Sequence, residues 1–196
     1  MKFKLFKATL VGLLLSVTCL INVANAGLIT FDGGASTWDT IYDTSEVDVI
    51  FQSSKIAWGT GYNDLVNVAY TNQNESLIID FVALAGATVS LDSFDIGNYL
   101  GRNNLTQYSI YDLSDTVTAL ISASPFVVPY STISHSTYTA GLSSTVGIRL
   151  VLGPDMYNNG LDNVKFSTTS VPEPSTLAIF ALGMIGLASR KIKKQS

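Results

Sequence analysis

Apolar residues gather in one long run at each end of the chain and in short, interrupted runs between. Behind Lys2, Lys4 and Lys7, residues Ala8 to Ile21 are almost continuously apolar, and so are Thr176 to Ser189 ahead of Arg190, Lys191, Lys193 and Lys194. The region between behaves differently. No stretch of a dozen residues there repeats at the helical period. Runs rich in Val, Ile, Thr, Tyr and Phe recur instead between clusters of Gly, Asn and Asp, as short strands joined by turns do.

Nine strands are predicted: Leu28–Phe31, Val47–Phe51, Leu65–Tyr70, Leu77–Val82, Thr88–Ile96, Tyr108–Leu113, Val117–Ile121, Val146–Leu152 and Leu161–Phe166. Val146 to Leu152 is apolar on one face, with Gly147 and Arg149 on the other, so it reads as a half-buried antiparallel strand. Leu77 to Val82 is apolar on both faces except at Asp80, which suits a central strand. The apolar phase holds at Val89 and Leu91 and resumes at Phe94 and Ile96. That one-residue slip at Asp92–Ser93 predicts a β-bulge. Nine short strands without a fixed repeat predict an all-β fold, an antiparallel two-sheet sandwich or jelly roll and not a solenoid.

The two terminal runs flank this sandwich as helices of another kind. Residues 1–26 have the layout of a signal peptide, with a basic start, an apolar stretch and the small-residue site Ala24-Asn25-Ala26, so signal peptidase and the general secretion machinery are expected to leave Gly27 first. A retained anchor is the other reading of the same run. Cys19 follows Ser16-Val17-Thr18, a poor lipoprotein box. At the other end, Pro172 and Pro174 lack backbone N–H groups and suit only the first turn of a helix. Glu173 and the four cations then match the two ends of the helix dipole. A helix over Ser175–Ser189 would reach about 22 Å against a hydrocarbon core of about 30 Å. It is short for a span, but Leu177, Ile179, Phe180, Leu182, Met184, Ile185 and Leu187 leave it no polar face. A transmembrane helix with its basic tail, residues 190–196, in the cytoplasm is therefore expected; the alternative is a C-terminal core helix.

Val171-Pro172-Glu173-Pro174, a short hydrophobic helix and a basic end led by Arg190 resemble the PEP-CTERM sorting signal of exported bacterial proteins. The resemblance covers residues 171–196. It implies recognition of Val171, Pro172, Glu173 and Pro174 by exosortase, a membrane protein resembling a cysteine transpeptidase, with Arg190 opening the stop-transfer end. It also implies a Gram-negative, exopolysaccharide-making source. The protein would pass through an inner-membrane-anchored intermediate to the cell surface or the extracellular biofilm matrix.

Charge changes the picture once the ends are set aside. Seven of the eleven basic residues lie in the two terminal segments, as does one of the fifteen acids. Residues 27–170 thus keep four basic and fourteen acidic groups, a net of −10, which excludes nucleic acid as a partner and suits cations, neutral sugars or simple solubility. This domain also holds no cysteine, so its core must suffice without disulfides.

Leu28-Ile29-Thr30-Phe31-Asp32 and Gly160-Leu161-Asp162-Asn163-Val164-Lys165-Phe166 resemble the first and last strands of carbohydrate-binding jelly rolls; Leu-Asp-Asn-Val-x-Phe is similar to the closing strand of galactose-binding-like domains. This second resemblance implies a structural calcium between the terminal strands, with Asp32 and Asp162 as its oxygen ligands. Read alone, both residues equally suit turns and caps. Apart from that calcium no cofactor is expected.

A catalytic constellation is missing. His135, the sole histidine, lies among common serines and reads as a solvated or hydrogen-bonded strand residue. Zinc lacks a ligand set, and Gly59-Thr60-Gly61 lacks the Gly-Lys that completes a phosphate loop. Fourteen acids leave room for the paired carboxylates of a glycosidase. Trp38, Trp58, Tyr62, Tyr99, Tyr130, Tyr138 and Tyr157 fall in or near predicted loops, where rings can stack on sugars, although core packing is the ordinary fate of each. Trp38 and Trp58 are the leading candidates for ligand binding. The expectation is a non-enzymatic surface or matrix sandwich associated with polysaccharide, with a small secreted carbohydrate-active hydrolase as the alternative.

Overall fold

Alternating burial along extended segments builds two antiparallel sheets whose inner faces close on each other. The computed structural model describes residues 24–84, 86–100, 105–122, 126–127 and 134–170. The apolar run of the expected signal peptide, Val171 with the Pro-Glu-Pro triplet, Arg190 and the expected transmembrane helix at 175–189 lie outside the described residues. Among those residues no helix is long and apolar enough to cross a membrane. Ala24–Thr169 form one compact unit.

Twelve strands form among the described residues: β1 (Ala24–Ile29), β2 (Val47–Phe51), β3 (Ile56–Trp58), β4 (Val68–Tyr70), β5 (Leu77–Ala83), β6 (Ala87–Asn98), β7 (Leu105–Asp112), β8 (Ile121–Ser122), β9 (Phe126–Val127), β10 (Ser136–Ser144), β11 (Gly147–Gly153) and β12 (Asn159–Ser170). A single helical turn, α1 (Trp38–Ile41), precedes β2. One sheet runs β10-β6-β12-β4-β3, with β1 also on β12; the other runs β2-β5-β11-β7-β8, with β9 also on β7. The protein is thus an all-β, two-sheet antiparallel sandwich.

Its core is the meeting of the two inner faces. Leu77, Ile79 and Phe81 of β5 and Ile148, Leu150 and Leu152 of β11 are fully buried, as are Leu91, Phe94 and Ile96 of β6 and Leu161 and Val164 of β12. Phe81 meets Phe166 across the interface at 5.5 Å between ring centres, and Phe94 meets Tyr108 edge-on at 5.3 Å. Each such side chain contributes about 1.5–3 kcal/mol on burial, which replaces the disulfides the domain does not have.

β5 lies between β2 and β11, the central position its two apolar faces predict. The one polar exception, Asp80, faces Arg149 in register. Arg149 donates to both carboxylate oxygens at 2.7 Å, and the Gln52 amide adds a 3.0 Å bond. The slip foreseen at Asp92–Ser93 is also present. Ala140 and Gly141 of β10 face Asp92 alone, so the extra residue is on the partner strand, where Gly141 takes φ +62°.

Three expectations need correction. The strand expected over Val117–Ile121 is a run of bends, with pairing only at Ile121–Ser122. The Asp115 carboxylate accepts the N–H groups of Val117 and Thr118, a local turn that outcompetes extension and leaves Val117 90% exposed. The strand expected from Leu65 starts only at Val68, because Asn63 and Asn67 adopt φ of 57° and 62° and fold the chain into a loop. β10 escaped notice because its serines and threonines give only Tyr138, Ala140 and Leu142 to the core side.

The Asp80–Arg149 pair yields a test. Replacing Arg149 by Met leaves the buried Asp80 carboxylate without its cation and is expected to cost about 2 kcal/mol, discounted for the partial exposure of the guanidinium. Urea unfolding should show a lower midpoint for Arg149→Met. The double change Asp80→Leu/Arg149→Met should recover most of it. An unchanged midpoint in the single variant would remove the pair from the account of stability.

Candidate functional site

The loop from Gly59 to Asn67 divides two surface depressions of opposite chemistry. Backbone and amide bonds hold this loop in place. Leu100 N–H donates to Gly61 O at 2.8 Å, Leu65 N–H to Tyr62 O at 3.1 Å, and Asn98 N–H to the Asn63 side chain at 2.5 Å. Gly97 makes the close approach feasible, since a Cβ there would come within 2.5 Å of the Tyr62 carbonyl oxygen.

On one side of the loop lies a depression of about 150 Å³ lined by Trp58, Tyr62, Tyr70, Tyr99, Tyr157 and Asn158. Trp58 ends β3, Tyr70 ends β4, Tyr99 follows β6, and Tyr157 and Asn158 precede β12. Their rings form a connected set: Tyr62 and Tyr99 at 5.0 Å, Tyr62 and Tyr70 at 6.0 Å, Tyr70 and Tyr157 at 6.3 Å, Trp58 and Tyr70 edge-on at 6.4 Å. Tyr62 is buried and donates its hydroxyl to the Tyr157 carbonyl oxygen at 3.2 Å, so it serves as floor. Trp58 and Tyr157 stand 47% and 45% exposed and serve as walls. Burial pushes the Tyr62 and Tyr70 hydroxyls up in pKa, and the neighbouring tyrosines add to it, so the floor stays uncharged.

On the other side lies a depression of about 320 Å³ lined by Thr30, Asp32, Asp64, Leu65, Val66, Asn67, His135, Asp162 and Asn163. The imidazole of His135 sits between carboxylates, with Nδ1 2.9 Å from Asp64 and Nε2 3.3 Å from Asp95. Burial raises the Asp64 carboxyl, but the bonds from His135 outweigh it and hold the group below its ordinary value. Hydrogen bonds from Thr30 (2.7 Å) and Asn67 (2.5 Å) lower Asp32. Asp162, only 4% exposed, goes the other way. Burial pushes its carboxyl up to about 7, against the N–H of Asn163, with Asp95 and Asp32 adding repulsion.

The structure therefore brings Asp32 and Asp162 to one depression, together with Asp64 and His135, which sequence reasoning left apart. Two carboxylates are a small part of the six to eight oxygens calcium takes, and both Asp32 oxygens already accept hydrogen bonds. Among the described residues no group of three or more His, Cys, Asp and Glu side chains is placed to hold a metal ion. Trp38 requires a correction. Its indole is fully buried in the core, 4.9 Å from Phe31 and 5.5 Å from Phe51, and presents no surface to a sugar. Trp58 does face solvent. Tyr138 packs on Phe94 at 5.6 Å, and Tyr130 lies outside the described residues. Tyr70 and Asn158 went unselected, Tyr70 because it ended a predicted strand. Ala24, Ala26 and Gly27 lie on β1.

Fold and depressions define a class: an all-β sandwich with an aromatic, uncharged concavity beside an acidic one. The family profile of the PEP-CTERM protein-sorting motif matches residues 170–194, so the chain carries that signal, which implies export, exosortase processing and a membrane-anchored intermediate. No curated protein sequence matches the chain. Similar solved structures include a family 35 carbohydrate-binding module from Clostridium thermocellum, 10% identical, with 75% of this chain and 98% of that one covered and a TM-score of 0.40. A family 35 module from Cellvibrio japonicus is 11% identical, with 75% and 94% covered and a TM-score of 0.39. One from Paenibacillus barcinonensis is 17% identical, with 60% and 91% covered and a TM-score of 0.37.

The raised Asp162 has a measurable consequence. Between about pH 4 and pH 7 the folded chain holds a proton that the unfolded chain has released, so stability should fall as pH rises through that window and level off above it. Asp162→Asn should flatten this slope and melt higher than the unsubstituted protein at pH 8. Melting curves of both proteins from pH 4 to pH 8 in chelator decide the matter, and parallel slopes would contradict the assignment.

Proposed function

We propose that the chain is an exported, exosortase-sorted protein of the bacterial cell surface or extracellular matrix whose sandwich binds polysaccharide without catalysis. The observation that carries the polysaccharide reading is the pairing of Trp58 and Tyr157, two exposed rings over a floor of uncharged tyrosines. Pyranose rings have apolar faces that stack on such walls, while Asn158 and the phenol groups supply hydrogen bonds to hydroxyls. A neutral ligand also avoids the repulsion that a net of −10 imposes on anionic polymers.

Affinity electrophoresis of the detergent-purified chain through gels holding neutral polysaccharides tests this. At least one polymer should retard the protein. Trp58→Ala and Tyr157→Ala should each weaken binding about thirtyfold, the usual cost of a buried aromatic anchor. The binding should change little between low and physiological salt, since no ion pair forms. A protein retarded by none of the polymers would leave a purely structural matrix role.

A hydrolase is a second reading, favoured by one observation: Asp32 and Asp162 line one depression with their carboxyls shifted in opposite directions, as an acid and a base would be. Against it, Asp162 is nearly enclosed, and both ring nitrogens of His135 already face carboxylates, which leaves neither directed at a nucleophile. A structural calcium at the same pair is a separate proposal, supported by the unfavourable burial of Asp162, which a dication would reverse. If calcium enters, adding it at pH 8 should raise the melting temperature of the unsubstituted protein but not of Asp162→Asn. Coincident curves with and without calcium dismiss it.

A further inference from the structure

The expected N-terminal processing site lies across from the β12 residues that come just before the sorting motif in sequence. β1 pairs with β12 in the register Ala24↔Thr169, Asn25↔Thr168, Ala26↔Ser167, Gly27↔Phe166, Leu28↔Lys165 and Ile29↔Val164. β6 covers the other edge of β12, and β4 reaches it at Leu161. Along Ser167–Thr169, among the described residues, Ala24–Ala26 therefore form the strand that covers the second backbone edge. These three residues are the ones that the expected cleavage after Ala26 would remove.

What remains of β1 is well held. Ile29 is fully buried, and Gly27 lies flat on the Phe166 ring, where any Cβ would collide with it. Cleavage thus shortens β1 from its N-terminal end while Gly27–Ile29 stay in place. It also removes the Asn25 amide that donates to Glu46 at 2.7 Å, the same carboxylate that accepts the Thr168 hydroxyl. The result, among the described residues, is an open backbone edge at Ser167–Thr169, immediately ahead in sequence of the segment matched by the sorting motif.

We propose that this opened edge is the docking strand for the sorting transpeptidase, so that removal of the signal peptide licenses processing at the other end of the chain. The proposal rests on the sorting reading above. Its occupant follows from the chemistry of the motif. Pro172 and Pro174 have no N–H groups to offer, so an enzyme that grips its substrate as an added strand finds its nearest full set of donors and acceptors upstream, at Ser167–Thr169. An unpaired sheet edge recruits such a strand readily; an edge already paired does not.

The test moves the cleavage site three residues upstream, so that the exported full-length chain keeps Ala24-Asn25-Ala26. A companion protein carries the same extension with Ala24→Pro and Asn25→Pro, which cannot sustain the pairing. In cells expressing an exosortase, C-terminal processing is followed by pulse-chase, and each product's N-terminus is sequenced. The retained strand should slow processing about tenfold, the equivalent of three weak cross-strand pairs, and the proline companion should restore the rate. Equal rates for all three proteins, or normal processing of an unsubstituted chain that still begins upstream of Gly27, overturn the docking strand alone. A chain that is exported and never processed overturns the sorting reading, and this inference with it.

Discussion

Everything distinctive in this molecule hangs on β12 having to satisfy three neighbours along twelve residues. Its inner face supplies Leu161, Val164 and Phe166 to the core; its edges pair with β6, β4 and β1. Its polar positions, Asp162 and Asn163, have nowhere to go but the depression beside the Gly59–Asn67 loop. The strand that closes the sandwich thereby also places the acidic cluster. Asp162 bears the cost: a carboxylate buried near Asp95 and Asp32 has its pKa pushed up to about 7, so it keeps a proton through mildly acidic pH where a free Asp has lost it.

The two depressions show how one loop separates incompatible chemistries. Tyrosines whose hydroxyls stay neutral make a surface that attracts no counterion and needs little desolvation, suited to the apolar face of a sugar ring. Two residues beyond Tyr62 on the same loop, Asp64 anchors His135 and faces a rim of carboxylates. Most of the acidity of residues 27–170 is spread over the surface, where it favours solubility in the surroundings of an exported protein.

The fold was legible because its signals are local. Period-two alternation marked β6 and β11, an apolar run on both faces marked β5 as central, and a one-residue slip in phase located the bulge opposite Asp92. What escaped depended on tertiary context. β10 is polar by composition and becomes a strand because β6 offers it an edge. Val117–Ile121 looks extended by propensity but yields to the Asp115 turn. The sites were half legible for the same reason. Asp32 and Asp162 could be paired because terminal strands of a sandwich lie together, whereas nothing local distinguishes Trp38, folded inward by α1, from Trp58, left at the end of β3. Asp64 and His135 are 71 positions apart, and only the fold brings them together.

The two tryptophans offer the most direct test of the central claim, that the aromatic depression is the polysaccharide-binding surface. The chain contains only these two, one buried in the core and one on the wall of the depression, so a ¹⁵N-labelled protein gives two indole N–H signals that report on the two environments separately. Titration with soluble neutral oligosaccharides should move the Trp58 indole signal progressively and leave that of Trp38 where it stands. Two stationary indoles, with shifts confined to the His135 ring, would place the ligand in the acidic depression and contradict the account.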